Sequence, residues 1–438
     1  MFEKITSFPF SHLIRNKSIQ NFAFLVTIQA SNILISLISM PLLIQSIGVD
    51  QFGLVNLALS VIILANIVVD YGYSLSAPRA VALQSNDKEA LSHIFSNIIS
   101  SKMLLASLTS VVILISVFVF NLFQGYQTIL ILSMLILFSE AALPLWFFQG
   151  LEKMKLVSIT NIFSKLLFLM GIVFFIQSPE QSKWVNFIFG GSALVINLCL
   201  LLYIHYELEI KLFKPRLKAL VISFKENIFL FLSNLTSHFS VNGGLIILSF
   251  FSNAETLGMF SLAEKISFVL RMFPALVIQS IYPNASKLYQ NDRPGFYRYL
   301  RKIYYTAIIL SVIISMMTFL LAPFIVKVMT KQYLEESILY LKILSFIPFV
   351  ACLNILNITI LLVTDRKNLL FKLSWTMCIF MLVVSIVLGS NFGGTGLCFG
   401  LLAKELFVFF VGLVLIYKNE KAIFNGITSS LFGSHHHH

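Results

Sequence analysis

Apolar stretches of about 20 residues, each long enough to cross a hydrocarbon layer roughly 30 Å thick, follow one another almost without interruption along this chain. No soluble fold could bury so many in one core. Of 438 residues, 58% are apolar and only 11% charged, the balance of a chain solvated by lipid. The stretches are continuous rather than alternating, so they predict helices and not the strands of an outer-membrane barrel. Twelve spans are expected, at 19–45, 52–78, 92–120, 128–149, 157–177, 184–205, 227–251, 257–286, 303–325, 337–363, 373–390 and 395–417. Residues 1–18 show no small-residue cleavage site and are expected to lie along the membrane surface. Residues 418–432 form a short tail, and 433–438 end in four histidines that read as an expression-tag remnant.

The spans divide into two related sets. Gly53–Lys88 reappears 205 residues later as Gly258–Arg293, with eight identities in 36 ungapped positions. Gly53, Leu57, Ala58, Pro78, Ala80, Leu83, Asn86 and Asp87 fall on Gly258, Leu262, Ala263, Pro283, Ala285, Leu288, Asn291 and Asp292. Further on, Leu151-Glu152-Lys153 matches Thr364-Asp365-Arg366 at an offset of 213, so a small insertion separates the repeats. With six spans in each set, both halves enter the membrane from the same side and form parallel repeats. The expected fold is an all-α integral membrane protein, with twelve transmembrane helices in two pseudo-symmetric six-helix bundles around a central cavity. One bundle covers 19–205, the other 227–417, and 206–226 links them on the cytoplasmic side.

Charge sets the orientation. The chain carries a net +12, and 22 of its 31 Lys and Arg fall in the termini and loops on one side, against three (Lys183, Lys327, Lys331) on the other. That is the positive-inside pattern, with both termini cytoplasmic. The basic balance is therefore topology and implies no nucleic-acid partner. Cys199, Cys352, Cys378 and Cys398 lie within spans, spaced neither as a zinc site nor as a disulfide framework, and are expected to be core thiols. No H-E-x-x-H, G-x-S-x-G or Walker-A pattern occurs, and Gly393-Gly-Thr-Gly396 lacks the Lys-Ser/Thr of a phosphate loop. The outer loops are too short to hold a catalytic domain. No enzyme activity and no cofactor are expected.

Two segments carry a family resemblance. Gly53–Ala82, with its Asp70-Tyr-Gly-Tyr73 and Pro78-Arg79, resembles the second span of bacterial polysaccharide exporters of the O-antigen flippase (Wzx) type. Trp146-Phe-Phe-Gln-Gly-Leu-Glu-Lys-Met154 is similar to that family's W-F-x-Q-G-x-E-x-M signature. The resemblance implies membership in the multidrug, oligosaccharidyl-lipid and polysaccharide exporter superfamily. It implies translocation of undecaprenyl-diphosphate-linked oligosaccharide from the cytoplasmic to the outer leaflet of the bacterial inner membrane. Membrane lipids, and the polysaccharide polymerase and chain-length machinery, would be its partners.

Charges inside spans are costly and tend to face a cavity or a partner. Here they are Asp70, Lys102, Glu140, Lys165, Glu264, Lys265, Arg271, Lys342, Lys404 and Glu405, with Arg79 near a span end. Their basic excess suits a cavity that receives a diphosphate. Arg271, Arg79, Lys265 and Lys404 are the candidate substrate contacts, together with Asn66, the repeat counterpart of Arg271. Arg271 has an ion-paired alternative; Glu264, two turns earlier on the same face, is the partner considered, too far for direct contact unless the helix bends at Pro274. Asp70, Glu140, Glu264 and Glu405 are candidates for proton or sodium coupling. Lys404 and Glu405, adjacent on one helix, point about 100° apart and are not expected to share one lumen. Lys165 and Lys342 are candidates for lipid phosphate. The aromatic residues are read first as lipid-facing and interhelical packing, with sugar stacking as the alternative for Tyr71, Tyr73 and Trp146. Gly72, Pro78, Pro274 and Pro283 are candidate hinges, with bends expected at matching depth in both halves. The rival readings are an ion-coupled drug or cation antiporter on the same architecture, a membrane glycosyltransferase or polymerase, and a non-transporting scaffold. Three converging carboxylates would favour the antiporter.

Overall fold

The computed structural model describes residues 17–213 and 217–432, and every regular element among them is helical. The surface segment expected at 1–18 lies outside the described residues save for Lys17 and Ser18, which open the first helix. The tag remnant 433–438 and the linker cations Lys214 and Arg216 also lie outside them.

Among the described residues, nine stretches are long and apolar enough to cross a membrane. Two of these, Ala23–Leu83 and Lys367–Asn419, each hold two of the expected spans. Their turns are made by Gly48 (φ 83°, ψ 165°) and Gly393 (φ 56°, ψ −136°), conformations that only glycine adopts readily. The expected eighth span is the 38-residue helix Ala254–Asn291, which lies outside the nine and carries Glu264, Lys265 and Arg271. With it, all twelve expected spans are helical. The seventh begins earlier than expected: its helix is Leu217–Asn242, and a turn at Gly243 separates it from the short Gly244–Leu248 helix.

The repeat is visible in how the chain turns. Asp87 caps the Lys88–Phe118 helix by accepting from the amides of Glu89 and Ala90. Its counterpart Asp292 caps Arg293–Thr330 by accepting from Gly295 N. At the other offset, Glu152 (φ 55°) and Asp365 (φ 53°) share a left-handed conformation. Lys153 N–H donates to Phe148 O at 2.9 Å, and Arg366 N–H to Leu361 O at 3.0 Å, so the two turns use the same bond. Each turn launches a helix, at Met154 and at Lys367. The insertion falls in between: Arg293–Thr330 has 38 residues where Lys88–Phe118 has 31.

Packing divides the chain into two units. One takes the described residues up to Gly48 and Ala58–Leu235; the other takes Val49–Leu57 and everything from Thr236. The boundary thus falls within the Leu217–Asn242 helix and not in the 206–226 connection. The first half of that helix belongs with the first unit because Tyr71 stacks on Phe231 at 4.8 Å and Tyr73 Oη lies 2.9 Å from Ser223 Oγ.

In the first unit, the two segments that carry the family resemblance pack on each other. Trp146, Phe147 and Phe148 are buried beside Tyr73, Ala77, Val81 and Phe95. The Leu145–Gly150 helix approaches so closely that a Cβ on Gly150 would sit 2.6 Å from Pro78 O and from Val81 Cβ. In lipid, where burial of apolar surface gives little, such close contact between backbones supplies the attraction. The connection after Tyr206 is tied to the Lys88–Phe118 helix. Lys211 N donates to Ser92 Oγ at 3.0 Å and Phe213 N to Ser96 Oγ at 2.9 Å, and Lys88 pairs with Glu209. The hydrogen bond from Lys88 holds the exposed Glu209 carboxyl below its ordinary pKa.

The second unit has its own core. Ile281, Ala285, Phe296, Leu300, Ile355, Leu361 and Ile416 are buried together, and the terminal Lys421–Phe432 helix adds Ile423 and Ile427.

Candidate functional site

Each unit gathers most of the charges of its own spans into one cluster. In the first, the Lys102 side chain is 2% exposed and stands between two carboxylates. Its Nζ lies 3.6 Å from Asp70 Oδ1 and 3.6 Å from Glu140 Oε1. Asp70 is placed by a backbone break: its helix ends there, Tyr71 and Gly72 both have positive φ, and Ser74 Oγ donates back to the carboxylate at 2.7 Å. Glu140 also lines a polar cavity of about 190 Å³ inside this unit, with Asn32, Asn161, Lys165 and Asn197. The Lys165 ammonium sits 4.1 Å from the centroid of the Phe189 ring. Lys165 is thus turned toward a bundle cavity and not toward lipid phosphate.

The second cluster joins Ala254–Asn291 to Lys367–Asn419. Arg271 Nη2 lies 2.6 Å from Glu405 Oε1, and Lys404 Nζ lies 3.4 Å from the same oxygen. Lys404 also donates to Ser240 O at 3.2 Å. Glu264 stands nearby, its Oε1 within 3.4 Å of a Cβ built on Gly244. Lys265 lies 5.3 Å from the Phe52 ring centroid. Three cations and two carboxylates leave this cluster with one net positive charge, whereas two cations and two carboxylates leave the first neutral.

Several expectations are corrected here. The partner of Arg271 is Glu405, not Glu264. Lys404 and Glu405 do converge despite their 100° separation, because the long lysine chain bends back to its neighbour's carboxylate. Trp146 and Tyr73 are buried in the first unit's core, so neither presents a face to a sugar, and half-buried Tyr71 has one face stacked against Phe231. The break near Asp70 lies at Tyr71-Gly72, with Pro78 inside the helix that follows. The matching stretch of Ala254–Asn291 runs on as one helix through Pro274 and Pro283, so the bends of the two halves differ. Cys199 is exposed, unlike the buried Cys352 and Cys398. Lys342 is placed 5.4 Å from the Phe319 ring centroid.

Two further candidates stand apart from the clusters. Arg79 is exposed and enters no salt bridge among the described residues. Asn66 is half-buried, and its Oδ1 has no hydrogen-bond partner among the described residues. Sequence reasoning did not single out Lys102 as a site residue. Its charge within a span was the signal, but its partners lie 32 and 38 residues away on other helices. The amides lining the cavity gave no signal beyond their polarity.

A chain of this kind, with long apolar helices in two repeats and charges held inside them, is a multi-pass membrane protein. It belongs to the family described as polysaccharide biosynthesis protein, which matches residues 18–289. It is similar to a protein of Escherichia coli (strain K12) named as an O-antigen transporter, with 24% identity over 402 residues covering 92% of this chain and 97% of that protein. A Staphylococcus aureus protein named "Capsular polysaccharide biosynthesis protein CapF" is 26% identical over 359 residues, covering 78% of this chain and 85% of its own length. The fold is that of the lipid II flippase MurJ in an inward closed conformation (TM-score 0.69, 13% identity, 94% of this chain and 91% of that one). It is equally that of an inward-facing multidrug resistance MATE family transporter of the MOP superfamily (TM-score 0.69, 14% identity, 89% of this chain and 94% of that one).

Proposed function

We propose that this protein is a flippase that carries undecaprenyl-diphosphate-linked oligosaccharide from the cytoplasmic to the outer leaflet of the bacterial inner membrane by alternating access. The observation that carries this reading is the net-positive cluster of the second unit, and within it the sharing of Glu405 between Arg271 and Lys404. Arg271 has five N–H donors in a planar fork, and Glu405 is met by only one end of it. Its side chain keeps 24% of its surface exposed, so the remaining donors can meet a phosphate oxygen. A diphosphate that draws Arg271 away leaves Glu405 neutralised by Lys404, so the exchange strands no buried charge. On release of the substrate Glu405 takes the guanidinium back, and the site does not become a deep well. Arg suits this role better than Lys because its fork matches phosphate geometry.

The antiporter reading calls for three converging carboxylates, and neither cluster gathers more than two. Loss of the protein tests the proposal in cells. Lipid-linked repeat units are expected to accumulate on the cytoplasmic leaflet while surface polysaccharide disappears. Unchanged surface polysaccharide would remove the assignment.

A further inference from the structure

The second unit holds a cavity that the transport reading does not use. It measures about 370 Å³ and is walled by Tyr304 and Tyr305, by Leu356 and Ile360, by Phe409 and Ile416, and by the terminal helix. That helix, Lys421–Phe432, contributes Phe424, Ile427 and Thr428. It is docked as a built element. Gly426 lies so close to Tyr297 that a Cβ there would meet the ring carbon Cζ at 2.5 Å. Arg366 Nε donates to Glu420 at 2.6 Å just before the helix begins, and Phe424 packs edge-on against Tyr417 at 5.2 Å. The packing that seats the helix leaves the space beneath it unfilled by side chains. Nothing in the walls but the tyrosine hydroxyls, Asn357 and Thr428 is polar, and Asn357 already donates to Phe409 O at 3.1 Å. Water has too few partners to occupy such a space, whereas a hydrocarbon chain in the surrounding leaflet is always at hand.

Charge identifies which lipid. Arg301 and Lys302 stand one turn before Tyr304 and Tyr305, Lys418 stands two residues after Ile416, and Lys421 stands one turn before Phe424. All four are exposed, and none enters a salt bridge among the described residues. Arg301 leans over Tyr305, 6.0 Å from the ring centroid, and Lys421 over Tyr417 at 5.9 Å. An apolar slot with a cationic rim at its membrane-surface end matches an acyl chain under an anionic headgroup. We propose that this cavity is a binding site for an anionic phospholipid of the adjoining leaflet. One acyl chain enters beneath the terminal helix, and the phosphate is met by Arg301 and Lys421.

The test uses the full-length protein in detergent, with phosphatidylglycerol and phosphatidylcholine of identical chains. Phosphatidylglycerol is expected to stay bound as a single adduct in native mass spectra and to raise the melting temperature saturably, and phosphatidylcholine to do neither at the same concentration. The double change Arg301→Gln with Lys421→Gln is expected to weaken phosphatidylglycerol by more than tenfold, about fivefold for each charge. Ile360→Trp, which fills the slot, is expected to abolish the saturable shift, and Thr428→Phe, from the outer wall, serves if that variant does not fold. Equal retention of the two lipids, or phosphatidylglycerol binding untouched by both the rim and the filling changes, would overturn the proposal. So would stoichiometric displacement by undecaprenyl phosphate, which would assign the slot to the transported lipid instead.

Discussion

Gly53 and Gly258, counterparts across the 205-residue repeat, pack backbone to backbone: a Cβ on Gly53 would lie 2.4 Å from Gly258 N. On Gly258 a Cβ would lie only 1.9 Å from Val49 O. Leu57 and Leu262, one turn further along each helix, are both buried, as are Ala58 and Ala263. One of the identities that reveal the repeat, Gly53 with Gly258, is thus the pair that lets these two segments touch.

Gly258→Val is therefore expected to destabilise the protein by at least the roughly 1–3 kcal/mol typical of overpacking, because the obstacle is main chain and cannot rotate away. Gly191→Ala is the control, since its added Cβ meets only Leu135 Cδ2 at 3.6 Å. Melting temperatures in detergent should separate the two variants clearly. A Gly258→Val protein that melts with wild type would refute the close contact.

Lys102 gives the second prediction. Replacing it by Met leaves two carboxylates to the single remaining cation, Lys165, and removing one partner of a buried ion pair typically costs about 3–5 kcal/mol. Abundance in the membrane should fall. Restoring neutrality with Asp70→Asn in the same chain, which leaves Glu140 with Lys165, should recover it. If the double variant were no more abundant than Lys102→Met, the cluster would not be held together by charge.

Orientation is tested with single cysteines in a background without native ones. Asn121, Lys183 and Lys331 are exposed and belong to segments expected outside, and Lys153 and Arg366 are exposed in turns expected on the cytoplasmic side. Impermeant thiol reagents added to whole cells should label the first three positions and spare the last two. The reverse pattern would invert the chain and the direction of transport with it.

Much of this architecture was legible in the sequence because lipid imposes few choices. An apolar run of sufficient length must be a helix, and its flanking cations report its orientation. The aspartates at 87 and 292 were legible as repeat identities, and the structure adds that both cap helices. Pairing of the buried charges was not legible. Arg271 lies seven residues from Glu264 but pairs with Glu405, 134 residues away, because helix packing and not sequence distance decides which carboxylate it meets. The role of Trp146 stayed open for a related reason. Its spacing is the same for a sugar platform and a packed core, and only the approach of Gly150 to Pro78 reveals the second. Likewise, Gly72 and Pro78 both signal a bend, but the left-handed pair Tyr71-Gly72 is where the backbone turns.

Arg271, released from Glu405, is expected to meet the diphosphate while Lys404 balances the carboxylate. Transfer of a lipid-linked oligosaccharide between leaflets of proteoliposomes, at equal protein content, measures this most directly. Arg271→Ala is expected to abolish transfer or reduce it sharply, and Arg271→Lys to retain part of it, since charge survives without the fork. Removing the carboxylate as well, in Arg271→Ala with Glu405→Gln, should not restore transfer. Transfer by Arg271→Ala at the wild-type rate, or its recovery in that double variant, would show that Arg271 serves only to neutralise Glu405 and would contradict the account.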